Sequence, residues 1–192
     1  QHAAFKKNCH VDIMWLSAEN IDTTIINQCD GIIIPGGFGN RGIEGMIKVA
    51  AYCRKNDIPL LGICLGMHII CIDAARQIHG DSCNSSEFNK LAKHQIVTII
   101  DNDNKNIGGS MKLGLCETKI KYKNLGRLSL AYKLYEKNLI YERHRHRFEI
   151  NPKYIQSLST QLFFSGINDK SMDIVENTDL KFYIGCQFHP EF

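Results

Sequence analysis

Nothing in the sequence approaches the run of roughly 18 apolar residues that a membrane-crossing helix requires. The first twenty residues also lack the basic-then-apolar layout of a secretory leader. A soluble chain with no membrane partner is expected. Its eight cysteines include no CxxC pair, and several sit inside apolar segments. That disfavours a zinc ribbon and a disulfide framework alike, and points to a reducing cytoplasm with mostly inert, buried thiols. Charge of one sign is scarce as well: 23 basic against 20 acidic residues leave +3, too small an excess to imply a nucleic-acid partner. No internal repeat and no linker divides the chain. What is present is a composition of 44% hydrophobic and 22% charged residues, close to globular averages, which excludes disorder, collagen and coiled coil. A length of 192 residues suits one domain, able to bury roughly 70% of its unfolded surface without staples.

The first strong pattern, GIIIPGGFG over residues 31–39, reads as a buried strand stopped by a glycine-rich loop. Residues 42–56 then carry Ile43, Met46, Ile47, Ala50 and Ala51 at helical spacing, and residues 58–63 form a second strand. Helical spacing returns over residues 65–79 through Met67, Ile70, Ile72, Ala74, Ala75 and Ile78, with Gly80 placed as the C-cap. Strand alternating with helix predicts an α/β fold with a mainly parallel central sheet flanked by helices. Ligands in such folds collect at the carboxyl ends of the strands. Beyond residue 95 the texture becomes strand-like (95–100, 118–121, 163–166, 172–176 and 182–188), around a short helix at 129–135 and a polar, asparagine-rich loop at 101–109. This later part is expected to add a smaller antiparallel portion. The opening HAAFKKN reads as the tail of a helix and the chain stops just beyond a strand, so trimmed ends are expected.

The densest chemistry lies in LGICLGM, residues 61–67. A strand that turns abruptly into a helix lifts its corner residue, Cys64, above the sheet, and Gly62 and Gly66 remove side chains that would collide in the bend. The helix N-terminus behind Cys64 favours a thiolate, and its free N–H groups suit an oxygen that turns negative. A buried cysteine in a glycine-flanked bend would look the same in isolation. A thiolate catalyst also needs a base and a group to orient it. FHPEF at the chain end offers His189 and Glu191, two apart on an extended backbone and so on one side. Pro35 to Gly42 is neither a Walker A sequence nor GxGxxG; it reads as a loop of backbone donors beside the thiolate, with residues 40–44 as a lid. ERHRHRFE, residues 142–149, suits a carboxylate or phosphate, metal ligands, or a solvated face. Metal is disfavoured, because arginines interleave His144 and His146.

PGGFGxRGxEGM, GICLGM, NSSEF, GGSMKLG, ERHRHRFEINP and QFHPEF occur together in an order and spacing that resemble the glutaminase domains of the CTP synthase family, which are class I glutamine amidotransferases. The resemblance covers about residues 13–192. It implies a glutaminase domain spanning 1–192, with flavodoxin-like layers, detached from an amidoligase domain. It implies hydrolysis of L-glutamine to glutamate and ammonia through a thioester, with Cys64 as nucleophile, His189 as general acid and base, and Glu191 orienting it. Gly36, Gly37, Phe38, Leu65, Gly66, Met67, His68, Glu87 and Arg147 fall around the substrate: Glu87 reads its amino group and Arg147 its carboxylate. No metal or cofactor is implied in this domain. ATP and Mg, with GTP as effector, are implied for the full-length enzyme, a homotetramer that aminates UTP to CTP. Three departures stand out. His68 replaces the family's substrate-holding glutamine, the expected first strand is missing upstream, and the loop 101–107 is short. A catalytically weak regulatory or scaffolding domain is the alternative; a γ-glutamyl hydrolase and a nucleic-acid module fit less well.

Overall fold

The computed structural model describes residues 1–99, 111–168 and 171–192. Two short helices, α1 (His2–Lys6) and α2 (Thr23–Ile26), precede β1 (Ile32–Ile34). There follow α3 (Ile43–Asn56), β2 (Leu60–Ile63), α4 (Leu65–His79), β3 (Cys83–Ser85), β4 (His94–Ile99), β5 (Lys112–Ile120), β6 (Lys123–Asn124) and β7 (Arg127–Leu128). The chain closes with α5 (Leu130–Tyr135), β8 (Leu139–His146), β9 (Phe148–Ile150), α6 (Pro152–Leu158), β10 (Phe163–Ile167), β11 (Met172–Glu176) and β12 (Tyr183–Cys186).

A seven-stranded sheet runs in the order β1-β2-β12-β11-β10-β5-β8, beside a small sheet β3-β4-β9 and the ribbon β6-β7. The α/β architecture holds, but the antiparallel share is larger than the strand–helix alternation suggested. Only β1–β2 and β2–β12 pair in parallel within the large sheet; β12–β11, β11–β10, β10–β5 and β5–β8 are antiparallel. The reason is connection length. A parallel pair needs a crossover of a dozen or more residues, whereas only four residues join β10 to β11 and six join β11 to β12.

Helix α4 is the hub. Every residue from Leu65 to Ala75 is buried, and the helix lies against β2, β12 and β1 on one side and against α3, α6 and the small sheet on the others. A helix apolar all round belongs in an interior of this kind. Its one buried charge, Asp73, is held by Arg54 of α3 through a paired bond, Nε to Oδ2 at 2.7 Å and Nη2 to Oδ1 at 3.1 Å. Helix α6 was not apparent in the sequence reading, although Asn151 caps it by accepting from the Lys153 N–H and Pro152 opens it.

The ERHRHR stretch is a strand, and its arginines and histidines sort by period two. His144 and His146 point inward and are buried, while Arg143 and Arg145 face out. A uniformly solvated face is therefore excluded. Among the described residues no helix is long and apolar enough to cross a membrane.

Removing Arg54 would leave Asp73 charged and unpaired in the core. Arg54→Ala is expected to cost about 3 kcal/mol, read as a lowered urea midpoint.

Candidate active site

The carboxyl end of β2 turns straight into α4 at Cys64, which takes φ 52° and ψ −98°, a left-handed conformation that non-glycine residues seldom adopt. The bend is clamped on both sides: the Cys64 N–H donates to the Cys186 carbonyl at 2.6 Å, and the Met67 N–H to the Cys64 carbonyl at 3.1 Å. A Cβ on Gly62 would lie 2.6 Å from the Gly66 backbone, and one on Gly66 only 2.3 Å from the Ile34 carbonyl oxygen. The glycines of GICLG are thus required by close backbone approach, as the motif implied.

The Cys64 thiol is 3% exposed, and burial pushes its pKa up to about 11. The Leu65 N–H at the helix start and the Gln187 amide pull the other way, while the carboxylates of Glu191 and Glu87 add to the rise. The expected lowering by the helix terminus is present but outweighed. At rest this group is a thiol and needs a base to ionise.

His189 stands where such a base would be expected. Its Nδ1 meets Glu191 Oε1 at 2.8 Å, which directs the ring and leaves Nε2 for the site. A Cβ built on Gly36 would fall 2.8 Å from His189 Cε1 and 3.5 Å from Cys64 Cβ, so the ring and the cysteine flank the bare backbone of Gly36. The parallel pairing of β12 with β2, Cys186 opposite Ile63, places His189 there, and the curl of the sheet brings β8 up to it. Flat, β12 and β8 would lie roughly 19 Å apart, four strand spacings. Yet the His189 N–H donates to the Arg143 carbonyl of β8 at 2.9 Å, and the His144 ring packs edge-on against Phe188.

Other residues singled out in the sequence fall around this point with different roles. Gly37 lies against Leu65, and a Cβ there would sit 3.1 Å from Leu65 Cδ2. Phe38 is 60% exposed at the mouth. Glu87 accepts from the Gly39 N–H at 2.9 Å, which joins NSSEF to the glycine loop, and burial raises its pKa. Met67 is wholly buried beside Gly185, a core position. Arg147 is half-buried at the joint between β8 and β9. Residues 40–44 do not form a loose lid: Arg41 pairs with Glu19, and Glu44 belongs to α3, doubly bonded to Arg76. The loop 101–107 lies outside the described residues.

His68 is buried one turn below Cys64, with Nε2 2.8 Å from Gln187 Oε1. Gln187, also wholly buried, donates from its Nε2 to the Cys64 sulfur at 3.7 Å. The sequence reading gave Gln187 no role, although it opens the QFHPEF motif, because both of its side-chain partners lie far off in the chain. Behind it sits a polar floor. His144 Nδ1 and His146 Nε2 are 2.9 Å apart, and Asp173 accepts from Thr118, Ser171 and Lys112. Burial depresses the pKa of all three histidines, that of His68 to about 4. Among the described residues no three His, Cys, Asp or Glu side chains converge as a metal site would require.

The folded chain holds these rings neutral whereas the unfolded chain protonates them near pH 6.5, so acidification favours unfolding. Stability is expected to be full above pH 6.5 and to fall by on the order of 2 kcal/mol per ring as pH drops through 4, measured by urea melts. Gly36→Ala is expected to displace the His189 ring and cut turnover at least tenfold while the melting temperature changes little.

The whole chain, residues 1–192, matches the family model "Glutamine amidotransferase class-I". It is 43% identical to a CTP synthase of Methanospirillum hungatei over 197 residues, and 44% identical to that of Mycoplasma mycoides over 199; these spans cover 100% and 99% of the chain. The chain spans about 36% of the length of each of those proteins. Among solved structures, the glutaminase domain of Trypanosoma brucei CTPS with bound acivicin superposes with a TM-score of 0.92 at 36% identity, covering 100% of this chain and 77% of that one. A Thermotoga maritima glutamine amidotransferase, at 13% identity and a TM-score of 0.63, shares the fold. A strained cysteine corner, a His–Glu pair across a bare glycine from it, and these likenesses agree: the chain belongs to the class I glutamine amidotransferases, among the glutaminase domains of CTP synthases.

Proposed function

We infer that the chain hydrolyses L-glutamine to glutamate and ammonia at Cys64. The observation that carries this reading is that the Cys64 corner and the Glu191-oriented His189 ring flank the same bare glycine, Gly36. His189 Nε2 takes the thiol proton, and the sulfur attacks the carbon of the substrate's side-chain amide. A neutral thiol with a pKa near 11 is a poor nucleophile alone, so transfer to an imidazole that Glu191 can stabilise as a cation is the step that makes it reactive. The carbonyl oxygen turns negative against the Leu65 N–H and the backbone of Gly36 and Gly37. Collapse breaks the carbon–nitrogen bond, His189 returns the proton to the departing nitrogen, and ammonia leaves a thioester on Cys64. Water, deprotonated by His189, attacks that thioester; glutamate departs and the thiol is restored.

An amino-acid substrate carries one charge of each sign at its far end. Glu87 suits the ammonium and Arg147 the carboxylate. Phe38, exposed at the mouth, suits the apolar stem of the substrate.

The ammonia has its use in the part of the protein beyond this chain. There UTP is aminated to CTP with ATP and Mg, under stimulation by GTP, in a cytoplasmic homotetramer. Those ligands belong to that part; this domain needs no cofactor for the hydrolysis described.

Glutamate release from glutamine tests the reading. Cys64→Ala is expected to abolish it, and Glu191→Gln to lower kcat by about 10- to 100-fold with little change in KM. Release that survives in Cys64→Ala would sink the assignment.

A further inference from the structure

We propose that His68 is a positioning residue that fixes which end of the Gln187 amide meets the Cys64 sulfur, in place of the substrate contact that its position would suggest. The proposal rests on the glutaminase reading. Its geometry is a chain of three side chains: His68 Nε2 to Gln187 Oε1 at 2.8 Å, then Gln187 Nε2 to Cys64 Sγ at 3.7 Å. Both His68 and Gln187 are buried, so water does not compete for either bond.

A primary amide has a donor end and an acceptor end, and only one of them helps a thiolate. With Nε2 turned toward the sulfur, Gln187 offers an N–H that strengthens as the sulfur gains charge. Turned over, it would offer an oxygen, which accepts from a thiol and repels a thiolate. Gln187 cannot choose by itself. Its backbone N–H is tied to the Asp173 carbonyl at 2.8 Å, and its carboxamide has two near neighbours, the sulfur and His68.

His68 makes the choice by where its single proton sits. A proton on Nε2 donates to Oε1 and turns the amide N–H toward Cys64. A proton on Nδ1 would leave Nε2 as an acceptor and invert the amide. Nδ1 has no hydrogen-bond partner, so a proton there would be a buried donor without an acceptor, whereas the bare lone pair is the cheaper orphan. The Phe148 backbone lies near the ring and favours its protonated form, but it makes no hydrogen bond with Nδ1, and its carbonyl already meets His146 Nδ1 at 3.2 Å. Burial holds the ring neutral, so a single tautomer persists through the neutral pH range. A glutamine at position 68 could present either end of its own amide; a histidine with its other nitrogen sealed in the core presents one.

The test compares the parent with His68→Leu, His68→Gln and Gln187→Glu. Glutamine kcat and KM are measured together with the rate at which iodoacetamide alkylates Cys64 at pH 8, read from the Cys64 peptide by mass spectrometry. In His68→Leu, kcat and the alkylation rate are both expected to fall about tenfold, with KM within twofold of the parent. In His68→Gln, which restores a donor toward Oε1, both should return to within threefold. Gln187→Glu, with an oxygen at each end, should slow alkylation at least tenfold, and it decides the matter should His68→Leu fail to melt cooperatively. A raised KM with alkylation unchanged in His68→Leu would make His68 a substrate contact and overturn the proposal. Unchanged alkylation in Gln187→Glu would overturn it too. A parent that releases no glutamate while the alkylation pattern holds would sink the glutaminase reading and leave the orientation standing.

Discussion

Between Gly62 and Gly66, and between Gly66 and Ile34, there is no room for one additional carbon atom. The remaining geometry depends on that contact. Because β2 and α4 run into one another so closely, the residue between them is forced to a positive φ, and its side chain stands clear of both elements. The strain is of the order of 1–3 kcal/mol and is held by packing along α4, whose first eleven residues are all buried. An exposed helix could not carry it. The site is therefore built on the most rigid part of the molecule, where neither sulfur nor backbone donors can drift.

The second requirement is long-range. His189 arrives from the far end of the chain, and its position depends on a sheet that is parallel where it forms the corner and antiparallel where it curls back. The Arg143 carbonyl takes the His189 N–H, and Arg143 itself stacks over Phe192. One strand thus serves two layers: its outward arginines close over the chain end, and its inward histidines form the floor beneath. Parallel pairing aligns strand ends for chemistry, and antiparallel pairing supplies the return path.

How much of this was legible in the sequence follows from how local each signal is. GICLG carries its steric reason within five letters, and α4 was bounded correctly because hydrophobic spacing and Gly80 both lie within it. His189 and Glu191 were legible as a pair two apart in FHPEF, but not for the extended backbone expected: β12 ends at Cys186, and a turn at residues 190–191 brings Nδ1 and Oε1 together. ERHRHR misled through composition: six charged or titratable letters in a row obscure a period of two. Gln187 opens the QFHPEF motif, yet the motif gave it no role. Its partners lie 119 and 123 residues away, and a buried glutamine beside a histidine motif has no pattern of its own. The proportion of antiparallel pairing was missed for a similar reason, since strand neighbours are set by connection geometry across the whole chain.

The high pKa of Cys64 also bears on how the chain endures between turnovers. With its pKa raised to about 11 by burial, Cys64 is overwhelmingly a thiol at neutral pH, and it is the thiolate that attacks peroxides and disulfides. An idle site is thereby shielded from oxidation. Five of the eight cysteines are buried, Cys64 among them, so the one that must react is guarded in the same manner as those that never do. On the proposed mechanism, reactivity would come only when His189 accepts the proton, which would separate durability and catalysis in time rather than trade one against the other.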